Sequence, residues 1–287
     1  TYDKTIGDHA FSVLGGMSAL KSNYNNMESS YAGFFRSETR FSYPDFSPDA
    51  SDRILGKYED YTLASYFGRV SYHYKGKYLF NGSIRTDGSS KLSPDNRWGV
   101  FPALSGGWVL SNENFFPEKL ANVMNYTKLR ASWGQNGSLA NIGIGTWLSG
   151  ISTQGLQYPN ANGQYLIGAA PTNLDNTDLT WETSEQLDLG AELGFFNNSL
   201  FLEVDWFKKT TKDLLTPGVI PDAVGNKLEI VNGGDVENKG WEFGLTYKSN
   251  SSKAFKYSVN ANLSLLKNEV TYINPLLNQI SGASVGT

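Results

Sequence analysis

Strict alternation between apolar and polar residues limits the fold of this chain more than any other feature of its sequence. In 186–195 every odd-numbered residue is Leu, Ala or Phe, and every even-numbered residue is polar, charged or Gly. Similar alternation recurs in 200–206, 241–247 and 257–265. Because successive side chains of a β-strand point to opposite faces, the pattern predicts strands with one apolar and one water-facing side.

Five further segments follow the alternation less strictly, which brings the predicted number of strands to about nine. No segment has the periodicity of an amphipathic helix of three turns, although a short helical turn is expected near Asn112–Leu120 or Tyr24–Phe35. The sequence therefore predicts an all-β, antiparallel fold. The five segments are 9–20, 64–74, 77–87, 97–110 and 127–136.

The connections between the predicted strands broadly alternate in length. Residues 75–77 and 197–199 form tight turns, whereas 21–63, 137–180 and 212–239 are long. Chain reversals that alternate in this way place the short connections at one edge of a sheet and the long ones at the other. Outer-membrane β-barrels have this arrangement, with short periplasmic turns and long extracellular loops.

The composition favours such a barrel over its main alternative, a soluble β-sandwich. Aromatic residues make up 14% of the chain, charged residues only 18%, and mean hydropathy is -0.37. Strands that are apolar on one face and polar on the other give a polar average, and aromatic residues near strand ends suit the membrane interfaces. Several strands of about ten residues, together with the long 137–180 connection, are unusual for a sandwich.

An odd number of strands is unusual for a bacterial barrel, and an open sheet would leave unpaired edges in lipid. We therefore expect residues 1–287 to be one partial barrel domain, an interior segment of a larger transmembrane β-barrel. The extracellular loops are expected to be long and the periplasmic turns short.

No motif for catalysis or for cofactor binding is present, so neither an enzyme nor a cofactor is predicted. The chain has two His and no Cys, which argues against a transition-metal site, and its net charge of -4 argues against nucleic-acid binding. Paired carboxylates could serve a glycosidase, but charges recur on the polar face of nearly every strand, which favours a water-filled lumen. The polar residues expected to face this lumen are Arg69, Asp188, Glu192, Glu203, Asp205 and Glu242.

Aromatic residues in the long connections are the only indication of a binding site. Flat rings can stack on sugars or pack on peptide side chains, but they can also pack within their own loop or against a partner protein. The candidates for ligand or partner contacts are Tyr31, Phe35, Tyr43, Trp147, Tyr158 and Tyr165.

Several motifs, in a fixed order, resemble those of one known family. They are RTDGSS (85–90), RWGVFP (97–102) with a following Gly-Trp, LRASWGQNG (129–137), LTWETSEQLDLG (179–190), DWFKKTTKDLL (205–215) and NGGDVENKGWEFGLTY (232–247). This series is similar to the barrel of the SusC/RagA family of TonB-dependent outer-membrane transporters, and the resemblance covers about 66–268.

The resemblance implies a 22-stranded barrel in a Bacteroidetes-type outer membrane, of which this chain would lack the N-terminal plug, the TonB box and the closing strands. It implies import of oligosaccharides or peptides together with a SusD-like surface lipoprotein. The TonB–ExbB–ExbD complex would supply the energy through the missing N-terminal part, and outer-membrane lipid would surround the barrel. The alternative is a transporter-like barrel that acts as a binding or scaffold component of an outer-membrane complex.

Overall fold

A computed structural model describes residues 1–30, 53–152, 157–219, 226, 230–249, 255–275, 277 and 285. Its main element is a ten-stranded antiparallel sheet in which each strand pairs with its neighbours along the chain, in the order β1-β2-β3-β4-β5-β6-β11-β12-β15-β16. The strands are β1 (Tyr2–Ile6), β2 (His9–Ser30), β3 (Arg53–Tyr74), β4 (Tyr78–Ser89), β5 (Trp98–Val109), β6 (Met124–Ser138), β7 (Ile151–Ser152), β8 (Gln157–Pro159), β9 (Tyr165–Ile167), β10 (Ala170–Pro171), β11 (Glu182–Phe195), β12 (Leu200–Lys212), β13 (Leu215–Pro217), β14 (Ile230–Asn232), β15 (Gly234–Lys248) and β16 (Ser258–Ile273).

The six short strands form three two-stranded ribbons within the long connections: β7 with β10, β8 with β9, and β13 with β14. Helical structure in the described residues is limited to a 3₁₀ turn at Leu110–Asn112 and the single-turn helix α1 at Glu118–Ala121. No helix in the described ranges is long and apolar enough to cross a membrane. The prediction of an all-β antiparallel fold is therefore confirmed.

The main sheet has ten strands rather than the expected nine, because Tyr2–Ile6 pairs with β2. Five residues are too few for a recognisable alternation in the sequence. The helical turn expected near Asn112–Leu120 is present as α1. The alternative at Tyr24–Phe35 is wrong for residues 24–30, which continue β2, and its remainder lies outside the described residues.

The sheet has two chemically different faces, as the alternation predicted. Leu189, Trp206, Trp241 and Leu265 lie directly opposite one another on four successive strands. Their side, which we call the apolar face, leaves Leu189 47% and Leu265 55% exposed. The opposite side, the polar face, carries charged residues along the middle of the same strands, whereas charged residues on the side of the apolar face, such as Lys208 and Lys239, lie towards the long connections. An apolar surface that crosses four strands is suited to contact with lipid.

The connections of the main sheet alternate in length broadly, as predicted, although 110–123 on the short side is longer than 90–97 on the long side. At one end lie the short connections 7–8, 75–77, 110–123, 196–199 and 249–257, and at the other lie 31–52, 90–97, 139–181 and 213–233. Lys75 and Gly76 both have positive φ, 51° and 61°, which is the backbone of the tightest β-hairpin turns. Apolar side chains that are fully buried belong to the end with the long connections, where Leu92 and Leu179 are 0% exposed.

Glu113, in the 110–123 connection, joins this segment to the neighbouring hairpin. Trp108 Nε1 donates to Glu113 Oε1 at 3.0 Å, and Lys77 Nζ donates to Glu113 Oε2 at 2.9 Å. Hydrogen bonding by Tyr78, then by Lys77 and Trp108, lowers the pKa of Glu113 to about 2. The contacts therefore favour the ionised carboxylate.

Glu113→Gln is expected to remove one source of acid sensitivity. A lowered pKa in the folded state stabilises the fold above the unfolded pKa of about 4.3, and this stabilisation is lost as the pH falls towards about 2. Melting temperatures of the full-length protein in detergent, measured between about pH 5 and pH 2, should fall less for the variant than for the wild type. Glu118→Gln, on exposed α1, is the control and should follow the wild type; equal acid losses in all three proteins would contradict the assignment.

Candidate functional site

Charged side chains converge on the polar face where β6, β11 and β12 lie side by side. Arg130 of β6 and Asp205 of β12 are each paired with Gly190 of the intervening strand β11. The Arg130 guanidinium reaches across this glycine, and its Nη2 donates to Asp205 Oδ2 at 2.6 Å. A Cβ at position 190 would collide with both partners, so the ion pair requires the glycine.

Glu192, two residues further along β11, extends the same network. Lys128 Nζ donates to its Oε1 at 2.9 Å, and Arg130 Nε lies 3.6 Å from the same oxygen. The hydroxyl of Tyr126 donates to Oε2 at 3.3 Å. The Glu192 and Asp205 side chains are only 15% and 13% exposed. Partial removal from water strengthens these contacts and makes their loss costly. The charged network is therefore Tyr126, Lys128, Arg130, Glu192 and Asp205.

Three further carboxylates surround the charged network and give it a net negative charge. Within the part of the chain that the structure describes, Asp188, Glu203 and Glu242 form no ion pair. Glu203 lies directly opposite Glu192, and Glu242 lies directly opposite Asp205. Like charges placed opposite one another destabilise a sheet slightly unless water or a cationic group lies between them. This part of the polar face therefore presents excess carboxylate to whatever lies in front of it.

Two shallow depressions lie beside the charged network. One, of about 230 Å³, is lined by Lys128, Arg130 and Asp188 together with Ser105 and Gly107 of β5. The other, of about 470 Å³, lies towards the short connections and is lined by Tyr126, Asn198, Phe201, Glu192, Glu203, Thr246 and Lys248. Both combine charges of either sign with hydroxyl, amide or aromatic groups, so they can form hydrogen bonds with a polar solute.

The structure brings five of the six predicted polar-face residues into one region. Asp188, Glu192, Glu203, Asp205 and Glu242 lie on the polar face of the adjacent strands β11, β12 and β15. Arg69 lies on the polar face of β3, opposite Ser83, and takes no part in the charged network. Lys128 and Arg130 were not among the residues predicted to face the lumen. The alternation within 127–136 can be recognised in the sequence. The register between strands, which places Lys128 and Arg130 beside these carboxylates, cannot.

The predicted aromatic contacts in the long connections are only partly described. Tyr31, Phe35 and Tyr43 lie outside the described residues, and of Tyr158 only the backbone, in β8, is described. Trp147 is half-buried, and its carbonyl accepts a hydrogen bond from the Asn176 amide at 3.0 Å. Tyr165 in β9 is 70% exposed. Exposure leaves Tyr165 free to meet a ligand or a partner, and a role in either stays a prediction.

Comparison with known proteins places this sheet in one family. The family model described as "TonB dependent receptor-like, beta-barrel" matches residues 3–286. TonB-dependent receptor P3 of Formosa agariphila is 35% identical over 271 residues, which cover 94% of this chain and 26% of the receptor. TonB-dependent receptor SusC of Bacteroides thetaiotaomicron is 32% identical over 275 residues, again 94% of this chain and 26% of the receptor. The chain thus spans about a quarter of the length of the curated relatives it matches.

Solved structures show the same fold. The RagAB peptide transporter superposes with a TM-score of 0.84 over 99% of this chain and 31% of the transporter chain, at 22% identity. The outer-membrane transporter YddB from Escherichia coli superposes with a TM-score of 0.60 over 94% of this chain and 32% of that chain, at 11% identity. With the family model matching almost the whole length, this chain belongs to the TonB-dependent receptor-like β-barrel family, whose members are integral proteins of the bacterial outer membrane.

Proposed function

We propose that this chain forms part of the wall of a TonB-dependent importer, in a barrel of 22 strands that the rest of the protein completes. The observation that carries the proposal is a family match over residues 3–286 to a sheet that is apolar on one face and charged on the other. The apolar face contacts lipid, and the polar face, with its charged network, lines the lumen through which the solute passes.

The solute is an oligosaccharide or a peptide, received together with a SusD-like surface lipoprotein. Support comes from a SusC relative at 32% identity and from the shared fold with a protein described as a peptide transporter. The depressions beside the charged network offer hydrogen-bonding groups of the kind that sugars and peptides need. The TonB–ExbB–ExbD complex supplies the energy through a part of the protein outside this chain, and no catalysis is involved.

Deletion of the full-length gene in its native host tests import directly. Growth on one oligosaccharide or peptide source should be lost, growth on monosaccharides or amino acids should be kept, and the full-length gene should restore the lost growth. Uptake of the labelled solute by whole cells separates import from later metabolism. If deletion disturbed envelope assembly while uptake stayed intact, the barrel would instead be a scaffold of an outer-membrane complex.

The orientation of the sheet can be tested by labelling single cysteines in the full-length protein, since this chain has none of its own and any cysteine in the rest of the protein can first be replaced by serine. Asn162→Cys, in the long connection between β6 and β11, should react with a membrane-impermeant maleimide on intact cells. Lys119→Cys, on α1 at the end with the short connections, should react only after the outer membrane is permeabilised. Both side chains are exposed, so access alone decides the result. Reaction of Lys119→Cys but not of Asn162→Cys on intact cells would reverse the proposed orientation.

A further inference from the structure

The long connections of three neighbouring hairpins share one apolar cluster at the outer end of the sheet. Leu92 comes from the 90–97 connection, Leu179 from 139–181 and Leu215 from 213–233, and all three are at most 4% exposed. Most large apolar side chains of the main sheet, by contrast, are partly or largely exposed. We call this group the outer-loop cluster; its members are Leu92, Leu139, Ile142, Leu179, Trp181, Leu215 and Ile230.

Hydrogen bonds join the first of these connections to the second. The Ser93 hydroxyl donates to the Thr177 carbonyl at 2.7 Å, and the Asn96 amide donates to the same oxygen at 3.0 Å. Trp181 Nε1 donates to the Arg97 carbonyl at 3.1 Å. In each of these bonds the acceptor is a backbone carbonyl, which would have to be hydrated again if the two connections separated. The two connections therefore share backbone hydrogen bonding as well as apolar contacts.

The second and third connections are joined in the same way, mainly through Asn232. Its Oδ1 accepts from the Thr180 amide at 2.9 Å, and its Nδ2 donates to the Asp213 carbonyl at 2.9 Å. Asn176 Nδ2 also donates to the Ile230 carbonyl at 2.9 Å. The Asn232 side chain thus forms hydrogen bonds with backbone groups of two different connections. If either connection moved away, polar groups of the other would lose their partners.

Such mutual dependence has a thermodynamic consequence. Surface loops usually open independently and at little cost, because few buried contacts hold them. Here, the opening of one connection exposes apolar side chains of the shared cluster, and it breaks hydrogen bonds to the connection or connections beside it in the series 90–97, 139–181 and 213–233. Opening all three connections together therefore costs less free energy than opening them one at a time. The shared contacts are lost only once, whereas the conformational entropy of all three segments is gained.

We propose that the described parts of the three outer connections, 90–97, 139–152 with 157–181, and 213–219 with 230–233, form one cooperative unit around the outer-loop cluster. A ligand or partner that displaces one connection must displace all three or first break the cluster. The outer mouth of the barrel therefore changes shape in a concerted way on this side, whatever the barrel transports. A substitution that weakens the cluster in one connection therefore lowers the stability of the other two.

Hydrogen–deuterium exchange of the full-length protein in detergent tests the cooperative unit. In Leu179→Ala, backbone amides near Leu92, near Thr180 and in 214–217 and 230–233 should all exchange at least about tenfold faster than in the wild type, by a similar factor. Amides in the middle of β11 and β12 should keep their protection. Faster exchange confined to the neighbourhood of residue 179 would overturn the proposal.

Two further variants complete the experiment. Leu166→Ala removes the same atoms from an exposed position of the same connection, where Leu166 is 53% exposed, and should leave exchange in all three connections unchanged. Leu92→Val makes a smaller change in a different connection and should accelerate exchange near residues 180 and 231 as well as near 92. Leu92→Val also keeps the proposal testable if Leu179→Ala does not fold. Faster exchange in Leu92→Val that is confined to the neighbourhood of residue 92 would contradict a shared unit.

Discussion

Leu265→Arg on the apolar face is expected to destabilise the folded full-length protein by about 2–4 kcal/mol, because a cation near the middle of the bilayer loses its hydration. Leu265 lies near the centre of β16, is 55% exposed, and sits in the row formed with Trp241, Trp206 and Leu189. Urea unfolding of the full-length protein in lipid vesicles measures the change in the free energy of unfolding.

Ser264→Arg is the matched control, since it places the same side chain one residue away on the polar face. Ser264 lies directly opposite Glu242, which forms no ion pair within the described ranges, so the new guanidinium gains a counterion. Its effect is expected to stay within about 0.5 kcal/mol of the wild type. If both variants lost a similar free energy of unfolding, the assignment of one face to lipid and the other to the lumen would be contradicted.

Arg130→Met is expected to cost about 1.5–3 kcal/mol, because Asp205 loses the partner of a short, charge-assisted hydrogen bond. Asp205 is only 13% exposed, so water replaces the guanidinium poorly; the 38% exposure of Arg130 keeps the expected cost below that of a fully buried pair. The free energy of unfolding of the full-length protein, again from urea titration in vesicles, is the quantity to measure.

A double-mutant cycle separates the ion pair from other effects of losing Arg130. Asp205→Asn removes the stranded charge, so the double variant should be more stable than the sum of the two single losses predicts, by about 1 kcal/mol or more. Arg69→Met, on the same face but without an ion pair within the described part of the chain, should cost no more than about 0.5 kcal/mol. Additive losses in the cycle would mean that Arg130 and Asp205 act independently.

The sequence predicted what depends on neighbouring residues and missed what depends on strand register. Alternation in 186–195 fixes which side of β11 is apolar, because the direction of a side chain on a strand is a local property. The contact between Arg130 and Asp205 joins residues 75 positions apart across a third strand, and no local pattern records it. Those two residues meet only because Gly190 leaves room between them, a role that this glycine shows only in three dimensions.

The outer-loop cluster was missed for a different reason. Leu92, Leu179 and Leu215 lie within short apolar stretches of one or two residues in the long connections, too short to show a periodicity that would predict burial. The first strand escaped notice because Tyr2–Ile6 is too short to alternate convincingly. The predicted loop aromatics Tyr31, Phe35 and Tyr43 lie in 31–52, outside the described residues, and their role stays a prediction.

The unequal lengths of adjacent strands make one part of the sheet project beyond the rest. Strands β2 and β3 have 22 residues each, which extends them to about 70 Å at about 3.3 Å per residue, whereas the 12 residues of β4 reach only about 40 Å. Since β3 pairs with β4 only over Leu63–Tyr74, the part of β3 before Leu63 extends past the end of β4. Within the described residues it pairs only with β2. Ten residues of β3 lie beyond this pairing, so the two-stranded projection extends about 33 Å past the end of β4, and anything bound at its far end would be held well away from the charged network.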